Sequence, residues 1–261
     1  MRNPHGSFIW YELMTSDIAG SIAFYDKVAA LKISPEGMGP QDYRMIEAPD
    51  GMVGGALPLT DAMREGGARS GWFVYVGVDD VDAAVAKVES AGGKTLMPAW
   101  DIPTIGRIAM VADPQGAPFY VMRGEPDQRS GVFDRGKVGH FGWNELHARD
   151  GGAALDFYVG QFGWKPTTEM DMGPMGKYRI FEVDGVDSGA TFDSPAAAGG
   201  PFWLPYIGVA DIDAAHAAIG PAGGSVMMGP SEVPGDIWII QGMDPQGAMF
   251  AVVGPRPNKE A

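Results

Sequence analysis

The sequence contains no cysteine among its 261 residues, and this absence removes several kinds of site at once. Disulfides, thiolate metal centres and cysteine nucleophiles are all excluded, so His, Asp, Glu and Tyr remain as the candidate chemical groups. A chain without disulfides suits a reducing compartment, and we expect a cytoplasmic protein.

Basic residues and long apolar runs are also scarce. The chain has 19 Lys and Arg against 33 Asp and Glu, a formal net charge of −14, and no cluster of basic residues. Because such a surface repels phosphate backbones, we expect no nucleic-acid partner. No apolar run approaches the roughly 18 residues needed to span a bilayer, and the first ten residues lack the apolar core of a signal peptide. We therefore expect no membrane partner.

What the chain has in abundance is turn-forming residues and an internal repeat. The 39 glycines and 21 prolines indicate many short elements separated by turns. Residues 72–93 and 203–224 are identical at 12 of 22 positions without a gap, and the pentapeptide DPQGA occurs at both 113–117 and 244–248. A match of this length indicates that the chain consists of two homologous halves.

Each half divides further into two modules of about 60 residues. In each module an apolar strand precedes an Asp-capped helix, and three short strands separated by Gly and Pro follow. The predicted fold class is α+β, with four βαβββ modules. The predicted modules cover about residues 7–60, 70–123, 138–193 and 201–254. They pair into a first domain (1–124) and a second domain (138–261), joined by a polar linker (125–137).

This order of motifs resembles the vicinal oxygen chelate superfamily, which includes glyoxalases, bleomycin resistance proteins and extradiol dioxygenases. The motifs that carry the resemblance are SIAFY (21–25) and ALDFY (154–158) on the helices, the AGG helix ends and the two DPQG turns. The resemblance covers nearly the whole chain and is strongest to two-domain glyoxalase-like proteins. It implies that paired modules curl their mixed sheets around a cavity.

The resemblance also implies where a metal would be held, and the residues at those positions are not ligands. Relatives that use a metal place His or Gln on the first strand of a module and Glu on the last strand. Here the first-strand positions fall on Trp10 and Trp143, and the last-strand positions fall on Tyr120 and Ala251. We therefore expect no cofactor and no conventional metal site, with a divalent metal only at an atypical one.

Three ionisable residues on the first strands are candidate catalytic groups. Glu12 and Glu145 lie two residues after Trp10 and Trp143, and so share a strand face with them. His147 lies two residues further on that face, where the first half has Met14. These groups are candidate acids, bases or atypical metal ligands. Internal hydrogen bonding of the two carboxylates is the alternative interpretation.

Aromatic residues supply the predicted ligand-binding surface. Seven are candidates because they are aromatic residues on strands that the resemblance places along the cavity: Trp10, Trp143, Trp72, Trp203, Tyr75, Tyr206 and Tyr120. Packing in the core is the competing interpretation for each ring. The preferred functional hypothesis is that the protein binds a small apolar or aromatic molecule in a domain cavity.

Two alternatives stay open. One is a glyoxalase-like lyase or isomerase, or a dioxygenase-related enzyme, that uses Glu145 and His147. The other is a module whose outer surface meets a partner. The identity of the ligand, the use of one or both cavities and the oligomeric state are not determined by the sequence.

Overall fold

The computed structural model describes residues 2–125, 127–194 and 200–257, without the side chain of Met175. The predicted domains and linker also include Met1, Pro126, 195–199 and 258–261, which lie outside the described residues.

The first half has two modules of the predicted βαβββ order. The first module consists of β1 (Phe8–Thr15), α1 (Ile18–Ala29), β2 (Lys32–Ile33), β3 (Arg44–Ala48) and β4 (Gly51–Pro58). A short helix that was not predicted, α2 (Asp61–Glu65), follows it. The second module consists of β5 (Gly71–Gly77), α3 (Val81–Ser90), β6 (Lys94–Ile102), β7 (Gly106–Ala112) and β8 (Pro118–Gly124).

The second half repeats this arrangement. The third module consists of β9 (Phe141–Ala148), α4 (Gly151–Phe162), β10 (Lys165–Asp171), a 3-10 turn (Gly173–Met175), β11 (Lys177–Val183) and β12 (Val186–Asp193). The fourth consists of β13 (Phe202–Gly208), α5 (Ile212–Ile219), β14 (Ser225–Val233), β15 (Ile237–Met243) and β16 (Met249–Gly254). The predicted α+β class and module order are therefore confirmed.

The strands form two mixed sheets of identical topology. Their orders are β2-β3-β4-β1-β5-β8-β7-β6 and β10-β11-β12-β9-β13-β16-β15-β14. The first and last strands of each module pair in parallel, as β1 does with β4 and β13 with β16, whereas the hairpins are antiparallel. Parallel pairing needs a crossover, which the helix of each module provides. No helix in the described part of the chain is long and apolar enough to cross a membrane.

Aspartate side chains start four of the five α-helices. Asp17, Asp80, Asp150 and Asp211 each accept a hydrogen bond from a backbone N–H in the first turn of α1, α3, α4 and α5, respectively. A cap of this kind satisfies one of the N–H groups that a helix leaves unbonded at its start. The prediction of an Asp-capped helix in each module is thus confirmed.

By its internal contacts the chain forms two compact units, and neither follows one half of the sequence. The first unit contains Met1–Ile9, Phe73–Gly131 and Asn144–Leu204; the second contains Trp10–Trp72, Val132–Trp143 and Pro205–Ala261. Each unit therefore combines most of one module from either half. The boundaries at 124 and 138 mark the duplication in sequence, and their role as domain limits stays a prediction.

The first unit contains a buried chain of hydrogen bonds that ends in a DPQG turn. The indole N–H of Trp203 donates to the Tyr158 hydroxyl over 3.1 Å, and that hydroxyl donates to Asp113 Oδ2 over 3.3 Å. The other oxygen of Asp113 accepts the backbone N–H groups of Gln115 and Ala117. A single carboxylate thus closes the DPQG turn and attaches it to α4 of the other half.

The second unit contains the same chain, built from the equivalent residues. Trp72 donates to the Tyr25 hydroxyl over 2.9 Å, and Tyr25 donates to Asp244 over 3.1 Å. Asp244 in turn accepts the N–H groups of Gln246 and Ala248. The repeated DPQG motif therefore holds the two halves together inside each unit.

We predict that Tyr158→Phe destabilises the protein by about 1–3 kcal/mol. The substitution leaves the buried Trp203 N–H and one Asp113 oxygen without a partner, and an unsatisfied buried polar group costs roughly that amount. Urea unfolding followed by tryptophan fluorescence measures the loss. Tyr25→Phe should cost a similar amount, whereas Thr167→Ala, which removes an exposed hydroxyl, should change stability by less than about 0.5 kcal/mol. Equal stability of Tyr158→Phe and wild type would contradict this role.

The two buried carboxyls also predict a pH dependence of stability. Burial raises the pKa of Asp113 and of Asp244 above the ordinary value of 3.8. Since each folded carboxyl holds its proton to higher pH than the unfolded one, the free energy of unfolding should fall as pH rises above 3.8. In Asp113→Asn/Asp244→Asn this fall should be smaller, as measured by urea unfolding at stepwise pH.

Carboxyls whose pKa is lowered in the folded protein change the free energy of unfolding with the opposite sign, and they do so over a lower range of pH. Hydrogen bonds from His140 and Lys137 lower the pKa of Asp50 to about 2. The stability that Asp50 contributes is lost only as pH falls from 3.8 towards 2. The loss of stability below pH 3.8 should therefore persist in Asp113→Asn/Asp244→Asn. An unchanged slope above pH 3.8 would contradict the assignment to Asp113 and Asp244.

Candidate functional site

Glu145 and His147 lie on one face of β9, in the first unit. His147 Nε2 is 2.7 Å from Glu145 Oε1, and the two residues are only 8% and 5% exposed. The contact is an ion pair by distance, yet the Nε2 atom is buried and makes no hydrogen bond of acceptable geometry. The predicted pair is thus brought together as a close, buried contact that is out of line for a hydrogen bond.

Two phenylalanine rings hold the imidazole of His147. The Phe202 ring lies parallel to it, with centroids 4.6 Å apart and an interplanar angle of 5°, and Phe192 meets it edge-on at 5.7 Å. Phe192 is the register partner of His147 on β12, which is why it shares this face of the sheet. Both phenylalanines are partly exposed. We call Glu145, His147, Phe192 and Phe202 the His147 cluster.

The His147 cluster lies on the sheet face opposite α4. Neighbouring residues of a strand point to opposite faces, and Trp203 points to α4 because its indole bonds Tyr158. Phe202 must therefore point away from that helix, and His147, which stacks on it, does so too. Sequence reasoning missed both phenylalanines. Counting back from Tyr206 in steps of two would have found Phe202, whereas Phe192 is identified only by strand pairing.

In the first half the carboxylate of this cluster is kept and the other three positions differ. Glu12 corresponds to Glu145, and the remaining positions hold Met14, Leu57 and Gly71. None of these three side chains is aromatic or ionisable. The histidine and its two ring contacts are therefore specific to the second half.

Glu12 shares its strand face with a different group, in the second unit. The Trp10 indole N–H donates to the Tyr43 hydroxyl over 2.9 Å. That hydroxyl lies over Gly55, the register partner of Glu12, where a Cβ atom would come within 2.0 Å of it. Gly55 is therefore required for this close approach. Glu12 itself is 3% exposed and is held in the interior.

The second tryptophan of the first strands has another neighbour. The guanidinium of Arg135 lies 5.3 Å from the centroid of the Trp143 ring, within the range of a cation–π contact. Both predicted first-strand tryptophans are partly exposed. Trp10 and Trp143 are thus accessible aromatic surfaces, and their contact with a ligand stays a prediction.

The three predicted tyrosines form two unlike arrangements at equivalent positions. In the first unit the rings of Tyr75 and Tyr120 are stacked, 4.2 Å apart at 17°. In the second unit Ala251 occupies the register position of Tyr120, and Gln241 Nε2 donates to the Tyr206 hydroxyl over 2.6 Å. All three tyrosines are buried, so a ligand contact at them is a prediction that this packing does not favour.

Trp72 and Trp203 do not share a strand face with the tyrosines predicted to line the same surface. Each tryptophan is three residues before its tyrosine, and an odd spacing places the two side chains on opposite sides of a strand. Both indoles are buried and donate to Tyr25 and Tyr158, respectively. A ligand contact at Trp72 and Trp203 stays a prediction that this packing does not favour.

The residues present do not form a metal site of the kind that the resemblance implies. The side chains at the corresponding positions are indole, phenol and methyl groups, which cannot replace imidazole and carboxylate ligands. Among the described residues no group of three or more His, Asp or Glu side chains is arranged to hold a metal ion. Glu145 and His147 supply two candidate ligands.

Two surface depressions of the first unit lie away from the His147 cluster. The larger, about 460 Å³, is an open groove beside the turn between β6 and β7, where Arg107 is already paired with Asp82 and Asp101. The smaller, about 160 Å³, lies between His5 and Lys87. Neither depression is lined by a predicted site residue. The chemical groups of the cluster, and not the size of these depressions, identify the candidate site.

These features define a class of protein: a duplicated chain of βαβββ modules whose strands carry side chains that cannot bind a metal at the expected metal-ligand positions. The model of the Glyoxalase/Bleomycin resistance protein/Dioxygenase superfamily matches residues 7–121 and again residues 137–252. The chain belongs to this superfamily, as the resemblance predicted.

Relatives and solved structures agree with this assignment. The chain is 31% identical to "Putative glyoxylase CFP32" of Mycobacterium tuberculosis, over 96% of this chain and 95% of the relative. It is also 31% identical to "Anthracycline biosynthesis protein DnrV" of Streptomyces peucetius, over 100% and 97%. The fold is similar to that of the Mn(II)-bound glyoxalase from Novosphingobium aromaticivorans, with a TM-score of 0.66, 16% identity and coverage of 97% and 82%. For the 2,3-dioxygenase LapB from Pseudomonas sp. KL28 the TM-score is 0.67, with 14% identity and coverage of 100% and 97%.

Proposed function

We propose that this protein binds a small apolar or aromatic molecule at the His147 cluster, without the divalent metal used by some members of its superfamily. The observation that carries the proposal is the composition of the cluster. Two partly exposed phenylalanine rings flank a buried imidazole, which in turn contacts a buried carboxylate. Ligand sites are commonly built in this way, from apolar and aromatic walls with a few fixed polar groups.

The residues at equivalent positions of the two halves support a site on β9, β12 and β13. Phe202 and Phe192 have smaller or non-aromatic counterparts, Gly71 and Leu57, in the first half. Aromatic walls gain affinity from burial and from stacking geometry.

The name of one relative is compatible with an aromatic ligand. One relative is called an anthracycline biosynthesis protein, and anthracyclines are fused-ring aromatic compounds. The chain aligns with the full length of that relative to within a few per cent, so the comparison extends over both halves. The shared property that we infer is binding of a flat molecule, and not the same compound.

We predict that planar aromatic compounds raise the melting temperature of the protein and that Phe202→Ala weakens their binding at least about tenfold. Loss of one stacking ring removes roughly 1–3 kcal/mol of apolar burial and stacking. Thermal shift screening followed by calorimetric titration measures both effects. The matched control is Phe73→Leu, which gives the first half the residue type that the second half has at the equivalent position, Leu204. This variant should leave the affinity for the aromatic compounds unchanged. Loss of binding in the control alone would contradict the site assignment.

A separate measurement tests whether ligand binding is independent of a metal ion. We expect less than stoichiometric divalent metal by elemental analysis of the purified protein, and unchanged ligand affinity after treatment with a chelator. If the wild type contained a stoichiometric metal and Glu145→Gln did not, Glu145 and His147 would be metal ligands. That result would overturn the metal-free proposal.

The second candidate function is a glyoxalase-like lyase or isomerase. The observation that favours it is the 2.7 Å contact between His147 Nε2 and Glu145 Oε1 in a buried setting. An imidazole and a carboxylate can each give or take a proton, so the pair supplies a candidate acid and a candidate base. Proton transfer at a carbon next to a carbonyl needs these two roles.

If the protein is such an enzyme, it should convert an α-oxoaldehyde and thiol mixture, and His147→Met should slow the reaction about 10²- to 10⁴-fold. The variant copies Met14 of the first half and keeps the side chain apolar, so folding is expected to survive. Product formation with and without chelator measures the reaction. Wild-type turnover that His147→Met leaves intact would exclude a role for this pair.

A further inference from the structure

The geometry points to a ligand class for the His147 cluster: a ring system that carries a neutral hydroxyl group, which Glu145 and His147 recognise together. This inference rests on the proposed function, since it concerns the same site. It adds the requirement for a polar group on the ligand, because aromatic contacts alone would not distinguish one flat ring system from another.

The polar requirement follows from the state of His147 Nε2. The side chain is nine-tenths buried, and the atom lies 2.7 Å from Glu145 Oε1 without forming a hydrogen bond of acceptable geometry. A buried nitrogen that lacks a well-directed hydrogen bond favours a ligand that supplies one. Within the described residues, no other protein group provides that bond.

A hydroxyl group matches both polar atoms at once. It can accept a hydrogen bond from Nε2–H of His147 and donate its own proton to the carboxylate of Glu145. An ether or a ketone accepts only. A carboxylate ligand would face Glu145 in a chain whose formal charge is −14, and so would be repelled. The neutral hydroxyl is the group that can form a hydrogen bond with both residues.

The two phenylalanines make this recognition rigid. Phe202 covers one face of the imidazole at 4.6 Å, and Phe192 lies against it edge-on. Since the ring of His147 is held on two sides, little rotational freedom is left to lose when the ligand binds. The same two rings are available to the aromatic body of the ligand, next to the polar pair.

The first half of the chain provides an internal comparison. It keeps the carboxylate as Glu12 but has Met14 in place of His147, so it lacks the donor. Recognition of a hydroxyl is therefore expected in the second half, and His147→Met removes it by copying a residue that the fold already accepts at the equivalent position.

Three ligands of nearly equal size test the inference: 2-naphthol, 2-methylnaphthalene and 2-naphthoate. In the full-length wild type we expect 2-naphthol to bind about tenfold more tightly than 2-methylnaphthalene, as one directed hydrogen bond supports. 2-Naphthoate should bind most weakly. In His147→Met the ratio of the naphthol affinity to the methylnaphthalene affinity should fall to about one. Calorimetric titration gives each constant.

Two further variants keep the test decisive. His147→Gln retains a donor near the position of Nε2 and should keep part of the preference for naphthol. Met14→Leu, the matched control in the first half, should keep all of it. If His147→Met does not fold, as judged by circular dichroism, the wild-type ratio and His147→Gln still decide the question.

The outcomes separate this inference from the proposed function. Equal binding of 2-naphthol and 2-methylnaphthalene by wild type, or tightest binding of 2-naphthoate, overturns hydroxyl recognition and leaves aromatic binding standing. A preference for naphthol that survives in His147→Met overturns the role of His147. Failure of all three compounds, together with the wider aromatic screen, overturns both proposals.

Discussion

The hydrogen bond from a helix tyrosine to the aspartate of a DPQG turn is the contact on which each compact unit depends. It is made twice, by Tyr158 with Asp113 and by Tyr25 with Asp244, and each time it joins one half of the sequence to the other. A buried carboxylate is stable only if its oxygens are bonded, and here the turn amides and the tyrosine share them. Each unit is therefore stabilised internally by polar groups within an aromatic core.

This contact explains why the most similar parts of the two halves have a structural role and do not identify the functional site. DPQG, the FY pair of the helix and the strand tryptophan are all parts of one hydrogen-bonded chain. Each must be retained in both halves because removing one leaves the others unbonded in the interior. The positions free to differ lie on the opposite strand face, where Met14 corresponds to His147.

The fold was largely predictable from the sequence, and the candidate site only in part. Alternating apolar strands and aspartate caps gave the four modules, because both signals act within a few residues. The Glu145 and His147 pair was found for the same reason, as a spacing of two residues on one strand. Trp72 and Trp203 lie on the strand face opposite Tyr75 and Tyr206, as their odd spacing from these tyrosines requires. Phe192 was missed because its neighbour is on another strand.

The sequence by itself determined the duplication, the module order and the face of each strand residue, since these follow from local periodicity and from the repeat. The tertiary structure decided which distant residues meet. Tyr25 and Asp244 are separated by 219 positions, and Phe192 faces His147 through strand register. No local pattern encodes such pairs, because they arise only when sheets and helices pack and the chain brings its two halves into common cores.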